Sequence, residues 1–268
     1  MLRARVLSVL VLLPFVILLT YIGGIPWAIG IAAVGAIAWG EMTRLLQRSD
    51  FAVDRVLGLL FILAAIAEAY LRAAGIVRID LFRPLLALLV IASLISALYD
   101  KSEHPTSNWA INIASALYLG FMLSHFVTLR ERANGLEWVI FAFALTWTGD
   151  TCAYFVGVSL GKHRLWPRIS PKKTWEGLAG EVASCLIAGP LLGAWLVGIN
   201  VWQGLLIGLL VAVLGTFGDL AVSLLKRMAH IKDSSRLIPG HGGMLDRLDS
   251  LIFTFPIITY FALIVAGG

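Results

Sequence analysis

A stripe of polar residues lies within an otherwise apolar segment around residue 220. Asp219, Ser223, Lys226 and Arg227 follow at i, i+4, i+7 and i+8, which places them on one face of an α-helix. A carboxylate in this setting can bind Mg²⁺, and the two bases can bind phosphate oxygens. The stripe therefore suits a metal–phosphate site, although an ion pair within the helix would use the same residues.

The polar segment that follows is rich in glycine. Gly242 and Gly243 come directly after His241, in a stretch that also contains Pro239. The backbone N–H groups of such a tight turn can bind an anion, as glycine-rich phosphate loops do. His241 either takes part in this site or is only a turn residue.

Two acids follow the glycines, at the predicted start of the last helix. Asp246 and Asp249 have i, i+3 spacing and should point the same way. They lie close in sequence to His241, Lys232 and Arg247, which favours a cation site that in turn holds phosphates. The alternative is that both acids are helix N-caps.

The composition places these residues in a membrane protein. Of 268 residues, 59% are apolar and only 14% are charged, whereas soluble domains are about 25% charged. These values exclude a water-soluble globule and a disordered chain. The net charge of +5 is attributed to basic cytoplasmic loops rather than to nucleic-acid binding.

The apolar runs are continuous and near 20 residues long, which favours transmembrane helices over barrel strands. The sequence therefore predicts an all-α, polytopic integral membrane protein with about nine transmembrane helices, forming one membrane domain over residues 1–268. Residues 1–135 are interpreted as scaffold helices and residues 136–268 as the catalytic half. The predicted spans are residues 6–21, 25–46, 56–71, 84–99, 108–129, 137–160, 178–198, 202–230 and 249–266.

The basic residues predict an orientation. With a cytoplasmic N-terminus and nine spans, 16 of the 21 Lys and Arg residues lie on the cytoplasmic side. The predicted location is the cell (inner) membrane, with the active site facing the cytoplasm. The eighth span, at 29 residues or about 43 Å, is longer than the hydrocarbon core, so its C-terminal end should project into the cytoplasm or line a wet cavity.

Asp150 lies inside a predicted span, where an ionisable side chain is costly and is therefore a functional candidate. Tyr154 and Gly157 follow at i+4 and i+7, on the same face of the helix. The alternative is an interfacial acid near a helix kink.

Lys172 and Lys173 lie in the predicted loop before the seventh span. They either attract anionic lipid without specificity or hold a polyphosphate or a lipid phosphate. In the same loop Ser170-Pro171 predicts a turn, and Thr174 with Glu176 predicts a helix start.

The segment from Ser223 to Asp249 resembles the signature of the phosphatidate cytidylyltransferases, also called CDP-diacylglycerol synthases. The pattern is Ser-x-x-Lys-Arg, then Lys-Asp, then Pro-x-His-Gly-Gly-x-x-Asp-Arg-x-Asp, without a departure. Residues 170–177 and Glu41 also resemble features of this family. The matching signature positions are Ser223, Lys226, Arg227, Lys232, Asp233, Pro239, His241, Gly242, Gly243, Asp246, Arg247 and Asp249.

This resemblance implies an enzyme of phospholipid biosynthesis, a nucleotidyltransferase that converts CTP and phosphatidate into CDP-diacylglycerol and diphosphate. Mg²⁺ is the expected cofactor, with a second cation that is divalent or monovalent, such as K⁺. Membrane lipid is an expected partner, and a homodimer is compatible with the sequence. The implied metal ligands are Asp219, Asp246, Asp249 and Asp150. The implied catalytic residues are Lys226, Arg227, Lys232, Asp233, His241 and Arg247. The implied substrate contacts are Ser223, Lys172, Lys173, Gly242, Gly243 and Tyr154.

Two other functions are open at this point. Another membrane phosphotransferase of activated lipid precursors would carry different runs, and the Asp-Gly and Ala-Arg run of the CDP-alcohol phosphotransferases is not found in this sequence. A secondary transporter would use intramembrane acids as coupling sites. Transporters commonly contain internal repeats, and none is visible in the sequence.

Overall fold

The computed structural model of the chain describes residues 2–235, 237 and 242–266. The chain divides into two compact units. The first comprises residues 1–132 and 228–246, and the second comprises residues 133–227 and 247–268. The polar segment 228–246 thus belongs to the first unit, although it follows the long helix of the second unit in sequence.

Five long helices form the body of the first unit. Asp54 accepts hydrogen bonds from the backbone N–H groups of Val56 and Leu57 at 3.2 and 3.0 Å and so caps the third helix. Pro105 lies in the first turn of the fifth helix, where its missing N–H costs no hydrogen bond. The helices are α1 (Leu2–Ile22), α2 (Gly24–Arg48), α3 (Arg55–Ala73), α4 (Phe82–Leu98) and α5 (Pro105–Arg130).

The second unit contains three long helices, a short sheet and the last helix. Helices α7 and α8 approach closely because Gly204 and Gly208 have no side chain. A Cβ at Gly204 would overlap the Cα of Pro190, and one at Gly208 would overlap the carbonyl oxygen of Cys185. The elements are α6 (Gly135–Ser159), β1 (Arg164–Trp166), β2 (Ser170–Thr174), α7 (Trp175–Leu192) with a π-helical turn (Gly193–Val197), α8 (Val201–Met228), α9 (Leu245–Leu248), which the unit boundary divides, and α10 (Leu251–Ala266).

The loop predicted before the seventh span contains an antiparallel pair of strands. Arg164 pairs with Thr174 and Trp166 pairs with Ser170, so the predicted turn at Ser170-Pro171 is wrong. Pro171 is tolerated in β2 because a two-stranded sheet has only edge strands. The predicted helix start is confirmed, since Thr174 Oγ1 accepts a hydrogen bond from the N–H of Gly177 at 3.1 Å.

The predicted last span also divides differently. Asp246 lies in the one-turn helix α9, and Asp249 lies in the turn between α9 and α10. The prediction that both acids share one face at the start of a single helix is therefore wrong. Helix α10 begins instead after Ser250, whose carbonyl accepts hydrogen bonds from the N–H groups of Phe253 and Thr254.

The described fold is all-α apart from this strand pair. By length and composition, six helices are able to cross a membrane: α2, α3, α5, α6, α7 with its π-helical turn, and α8. Three shorter apolar helices cover residues 12–22, 82–98 and 251–265. Helix α8 has 28 residues, about 42 Å at 1.5 Å per residue, which confirms its predicted excess length.

Candidate active site

Four carboxyl groups of the second unit form an acidic cluster. They are carried by Asp150 on α6, Glu181 on α7, Asp219 on α8 and Asp249 before α10. Ser250 Oγ donates to Asp150 Oδ2 at 2.9 Å. Only glycine fits at Gly218, because a Cβ there would lie 2.5 Å from the carbonyl oxygen of Asp249. The close approach of α8 to the turn places Asp219 beside Asp249.

A lysine from the strand pair binds this acidic cluster. Lys173 Nζ lies 2.8 Å from Asp219 Oδ2 and 3.4 Å from the carbonyl oxygen of Thr216. Ser223 Oγ donates to the other oxygen of Asp219, Oδ1, at 3.3 Å. The sequence allowed an ion pair of Asp219 within its own helix, whereas this ion pair joins α8 to β2.

The acidic cluster receives few hydrogen-bond donors from the described residues. Five donors serve the four carboxylates: two from Ser250 and one each from Lys173, Ser223 and Thr216, whose Oγ1 lies 2.6 Å from Glu181 Oε2. Glu181 is buried, whereas Asp219 and Asp249 are partly exposed and Asp150 is exposed. Because an ionised carboxylate has about four acceptor sites, the three aspartates have oxygen acceptor sites that are open to water or to a cation.

Asp249 shows the effect of this crowding most directly. Its carboxyl group lies outside the helices, where burial raises its pKa and the neighbouring carboxylate of Asp219 raises it further. An added cation would counter both effects, because it stabilises the charged form.

The donor set of the acidic cluster suits a hard cation such as Mg²⁺, which prefers carboxylate oxygens. The side chains do not form a complete metal site, however. Among residues 2–235, 237 and 242–266, no three His, Cys, Asp or Glu side chains are grouped so that they could hold one metal ion. The chemistry of the residues therefore fits a cation, with Lys173 as the positive charge that accompanies Asp219.

The remaining predicted basic residues of the second unit differ in exposure. Lys226 is half-buried, and Arg227 and Arg247 are exposed. Arg227 Nε donates to the carbonyl oxygen of Ile169 at 3.1 Å, which ties α8 to the turn between β1 and β2.

Two predicted substrate contacts are exposed. The Tyr154 side chain is 65% exposed and packs edge-on against Phe155, with ring centroids 5.5 Å apart. Lys172 is also exposed, and its carbonyl oxygen accepts a hydrogen bond from Arg164. Lys172 and Lys173 are adjacent in sequence but have different environments, since only Lys173 contacts the acidic cluster.

In the first unit, residues 234, 235 and 242–245, here called the glycine loop, bind two carboxylates. Asp246 Oδ2 accepts hydrogen bonds from Ser234 N, Ser234 Oγ and Gly243 N at 2.9–3.0 Å. Glu41 accepts four hydrogen bonds from the same loop. Gly242 has φ +78°, which favours glycine. The anions bound by these backbone N–H groups are thus the protein's own carboxylates.

The other predicted residues of this segment are solvent-facing or lie outside the description. Lys232 and Asp233 are exposed. His241 and Pro239 lie outside the described residues. The structure therefore brings Asp150, Asp219 and Asp249 together in the second unit with Lys173 and Ser223, and it brings Asp246 together with Gly242 and Gly243 in the first.

The chain is similar to a known protein family along almost its whole length. The model of the cytidylyltransferase family matches residues 3–265. The chain belongs to the cytidylyltransferase family. It is 34% identical over 267 residues to the phosphatidate cytidylyltransferase of Bacillus subtilis, covering 97% of each chain. It is 32% identical over 266 residues to that of Brucella suis, covering 99% of this chain and 94% of the relative. The match to that of Staphylococcus epidermidis is 40% identical over 161 residues, 59% of this chain and 61% of the relative.

Sequence reasoning missed Glu181 in this cytidylyltransferase. It lies inside the predicted span 178–198, where the same argument that identified Asp150 applies to it. Its side chain is 4% exposed, and α6 passes so closely that a Cβ at Gly149 would lie 3.2 Å from its Cγ. Glu41 was identified only through the family resemblance, because its partners are distant in sequence.

Lys173 should stabilise the fold of this cytidylyltransferase, whereas Lys172 should not. Lys173→Gln removes an ammonium group 2.8 Å from Asp219, and we expect a loss of about 1–2 kcal/mol, or roughly 2–6 °C in Tm. Thermal unfolding in detergent measures this, with Lys172→Gln as the control. Adding Asp219→Asn to Lys173→Gln should recover part of the loss, since it removes one repelling charge. Equal Tm values for the Lys172 and Lys173 variants would contradict the assigned pairing.

Proposed function

We propose that this chain is a phosphatidate cytidylyltransferase, which converts CTP and phosphatidate into CDP-diacylglycerol and diphosphate for phospholipid biosynthesis. The observation that carries the proposal is the match to relatives of this name over 94–97% of their own length. The acidic cluster with Lys173, on helices apolar enough to cross a membrane, supports it because one substrate is a lipid and both are anionic.

The reaction needs no nucleophilic side chain from the protein. A phosphate oxygen of phosphatidate attacks the α-phosphorus of CTP, a new P–O bond forms, and the bond to the diphosphate breaks. Because both reactants are negative, the protein must neutralise charge and align the phosphates. Lys226, Arg227 and Arg247 in the second unit, and Lys232 in the first, are the proposed phosphate contacts. Ser223, Lys172, Lys173 and Tyr154 are the further proposed substrate contacts.

The acidic cluster is the proposed Mg²⁺ site of the enzyme. Asp219, Asp249 and Asp150 would hold the ion, which would supply positive charge to phosphate oxygens. The few donors and the accessible oxygens of these carboxylates support this assignment. Asp246 stays a predicted ligand whose Oδ2 is already hydrogen-bonded within the first unit. The second cation, divalent or monovalent such as K⁺, stays a prediction, as do the roles of Asp233, His241, Gly242 and Gly243.

We also propose nine spans, with a cytoplasmic N-terminus in the inner membrane and an active site that faces the cytoplasm. The six long helices and three shorter apolar helices together supply nine segments, and the distribution of Lys and Arg supports the orientation. A homodimer stays a prediction.

The direct test of the function uses purified protein in detergent with phosphatidate, Mg²⁺ and each of the four nucleoside triphosphates. Of the four nucleotides, only CTP should give diphosphate release, and this release should require phosphatidate. Release with all four nucleotides, or with CTP in the absence of phosphatidate, would overturn the proposal. The same assay excludes a transporter, because turnover would proceed without any solute gradient.

Replacing the proposed ligands should reduce turnover without unfolding the protein. Asp219→Asn and Asp249→Asn keep the size of the side chain but lose its charge, so activity should fall by at least about tenfold. Part of the loss should return at high Mg²⁺, since the defect lies in metal affinity. Turnover against Mg²⁺ concentration is measured together with Tm. Asp50→Asn is the matched control, because Asp50 is exposed and has φ +65°, which Asn tolerates. Near-normal turnover in both ligand variants would contradict the metal assignment.

The orientation is tested with single cysteines in a protein whose Cys152 and Cys185 are replaced by alanine. Lys172→Cys and Ser235→Cys should react with a membrane-impermeant maleimide from the cytoplasmic side, and Asn200→Cys should react from the opposite side. This follows from the proposed orientation, in which the basic loops are cytoplasmic. Labelling of all three from one side would exclude the nine-span arrangement around α7 and α8.

A further inference from the structure

Glu41 lies near the C-terminal end of α2 and has no exposed surface. Its Oε1 accepts hydrogen bonds from Ser235 Oγ at 2.6 Å and from Met244 N at 2.9 Å. Its Oε2 accepts hydrogen bonds from Ser234 Oγ at 2.8 Å and from Leu245 N at 2.9 Å. One buried carboxylate thus receives four donors from the glycine loop, 193 to 204 positions away in the sequence.

We propose that Glu41 is the positioning residue that holds residues 234 and 235 and residues 242–245 of the glycine loop in place. The proposal rests on the proposed function, in which the signature segment that contains this loop belongs to the active site. Glu41 touches no reacting atom in this assignment. It acts through hydrogen bonds to Ser234 and Ser235 at the start of the loop and to Met244 and Leu245 at its end.

The hydrogen-bond pattern requires a carboxylate rather than an amide. Each oxygen of Glu41 faces one backbone N–H, from Met244 or Leu245, and a backbone N–H can only donate. A glutamine side chain would therefore place its NH₂ group against an N–H in either orientation. The buried N–H would lose its acceptor, which is costly away from water.

The glycine at position 243 has a spatial reason that depends on Glu41. A Cβ at Gly243 would lie 2.5 Å from both Glu41 oxygens and would overlap Ser234 Oγ. The two consecutive glycines therefore serve different purposes: Gly242 permits a positive φ, and Gly243 leaves room for the Glu41 carboxylate.

The test compares Glu41→Gln with the wild-type enzyme by hydrogen exchange and by kinetics. Amide exchange should accelerate in peptides covering residues 231–248 and not in α3 or α5, since the Met244 and Leu245 N–H groups lose an acceptor. The kcat for CTP should fall roughly ten- to a hundredfold. Glu41→Asp should recover part of kcat, because it restores the acceptors on a shorter side chain. Glu68→Gln is the matched control, since Glu68 is a buried acid of the same unit outside the loop.

Gly243→Ala provides a second route to the same defect if Glu41→Gln does not fold. Its added methyl group should displace the Glu41 carboxylate and accelerate exchange in the same peptides, whereas Gly40→Ala, which meets open space, should not. Unchanged exchange in the loop of folded Glu41→Gln, or acceleration spread over the whole chain, would overturn the proposal. Absence of CTP turnover in the wild-type enzyme would overturn the proposed function instead, since exchange reads the dependence of the loop on Glu41 without any substrate.

Discussion

The structure depends on how carboxylates are accommodated in a chain that is 59% apolar. Burying a charged group without partners costs far more than a single hydrogen bond returns, so each buried acid needs donors or a cation. Glu41 meets this requirement with four donors from one loop. Ser234 and Ser235 supply two of these donors, and Met244 and Leu245 supply the other two. A single buried charge therefore joins two parts of the chain through hydrogen bonds.

Close helix packing is what brings the second set of acids together. Short side chains such as Asp reach one another only when the backbones approach, and the glycines of α8 permit that approach. Gly208 contacts the backbone of α7, and Gly218 contacts the turn that carries Asp249. A larger side chain at either position would separate the elements that carry the acidic residues. The apolar helices thus carry Asp150, Glu181 and Asp219, and their glycines allow the close packing that brings these acids together.

The helices could be predicted from the sequence because each is a continuous apolar segment, a property of consecutive residues. All nine predicted segments contain a described helix. The strand pair at residues 164–174 and the break between α9 and α10 could not be predicted in this way, since both are short and depend on packing rather than on periodicity. Only those parts of the site that depend on residues close together in sequence could be predicted. Asp219 and Ser223 are neighbours on one helix, whereas the partners of Glu41 and Glu181 lie on elements distant in the sequence.

The two sets of acids differ in how far backbone groups bind them. Backbone N–H groups bind both oxygens of Glu41 and Oδ2 of Asp246, together with serine hydroxyls, and these N–H groups cannot move without rebuilding the loop. Asp219 is bound by a lysine ammonium and a serine hydroxyl, which are side-chain groups that can rotate away from it. A carboxylate held by backbone donors suits a permanent structural role. A carboxylate held by mobile side chains, in a cluster with few donors, can exchange its partners for a cation. Carboxylates thus have a structural role in the first unit and are suited to ion binding in the second. The difference follows from the donors around them.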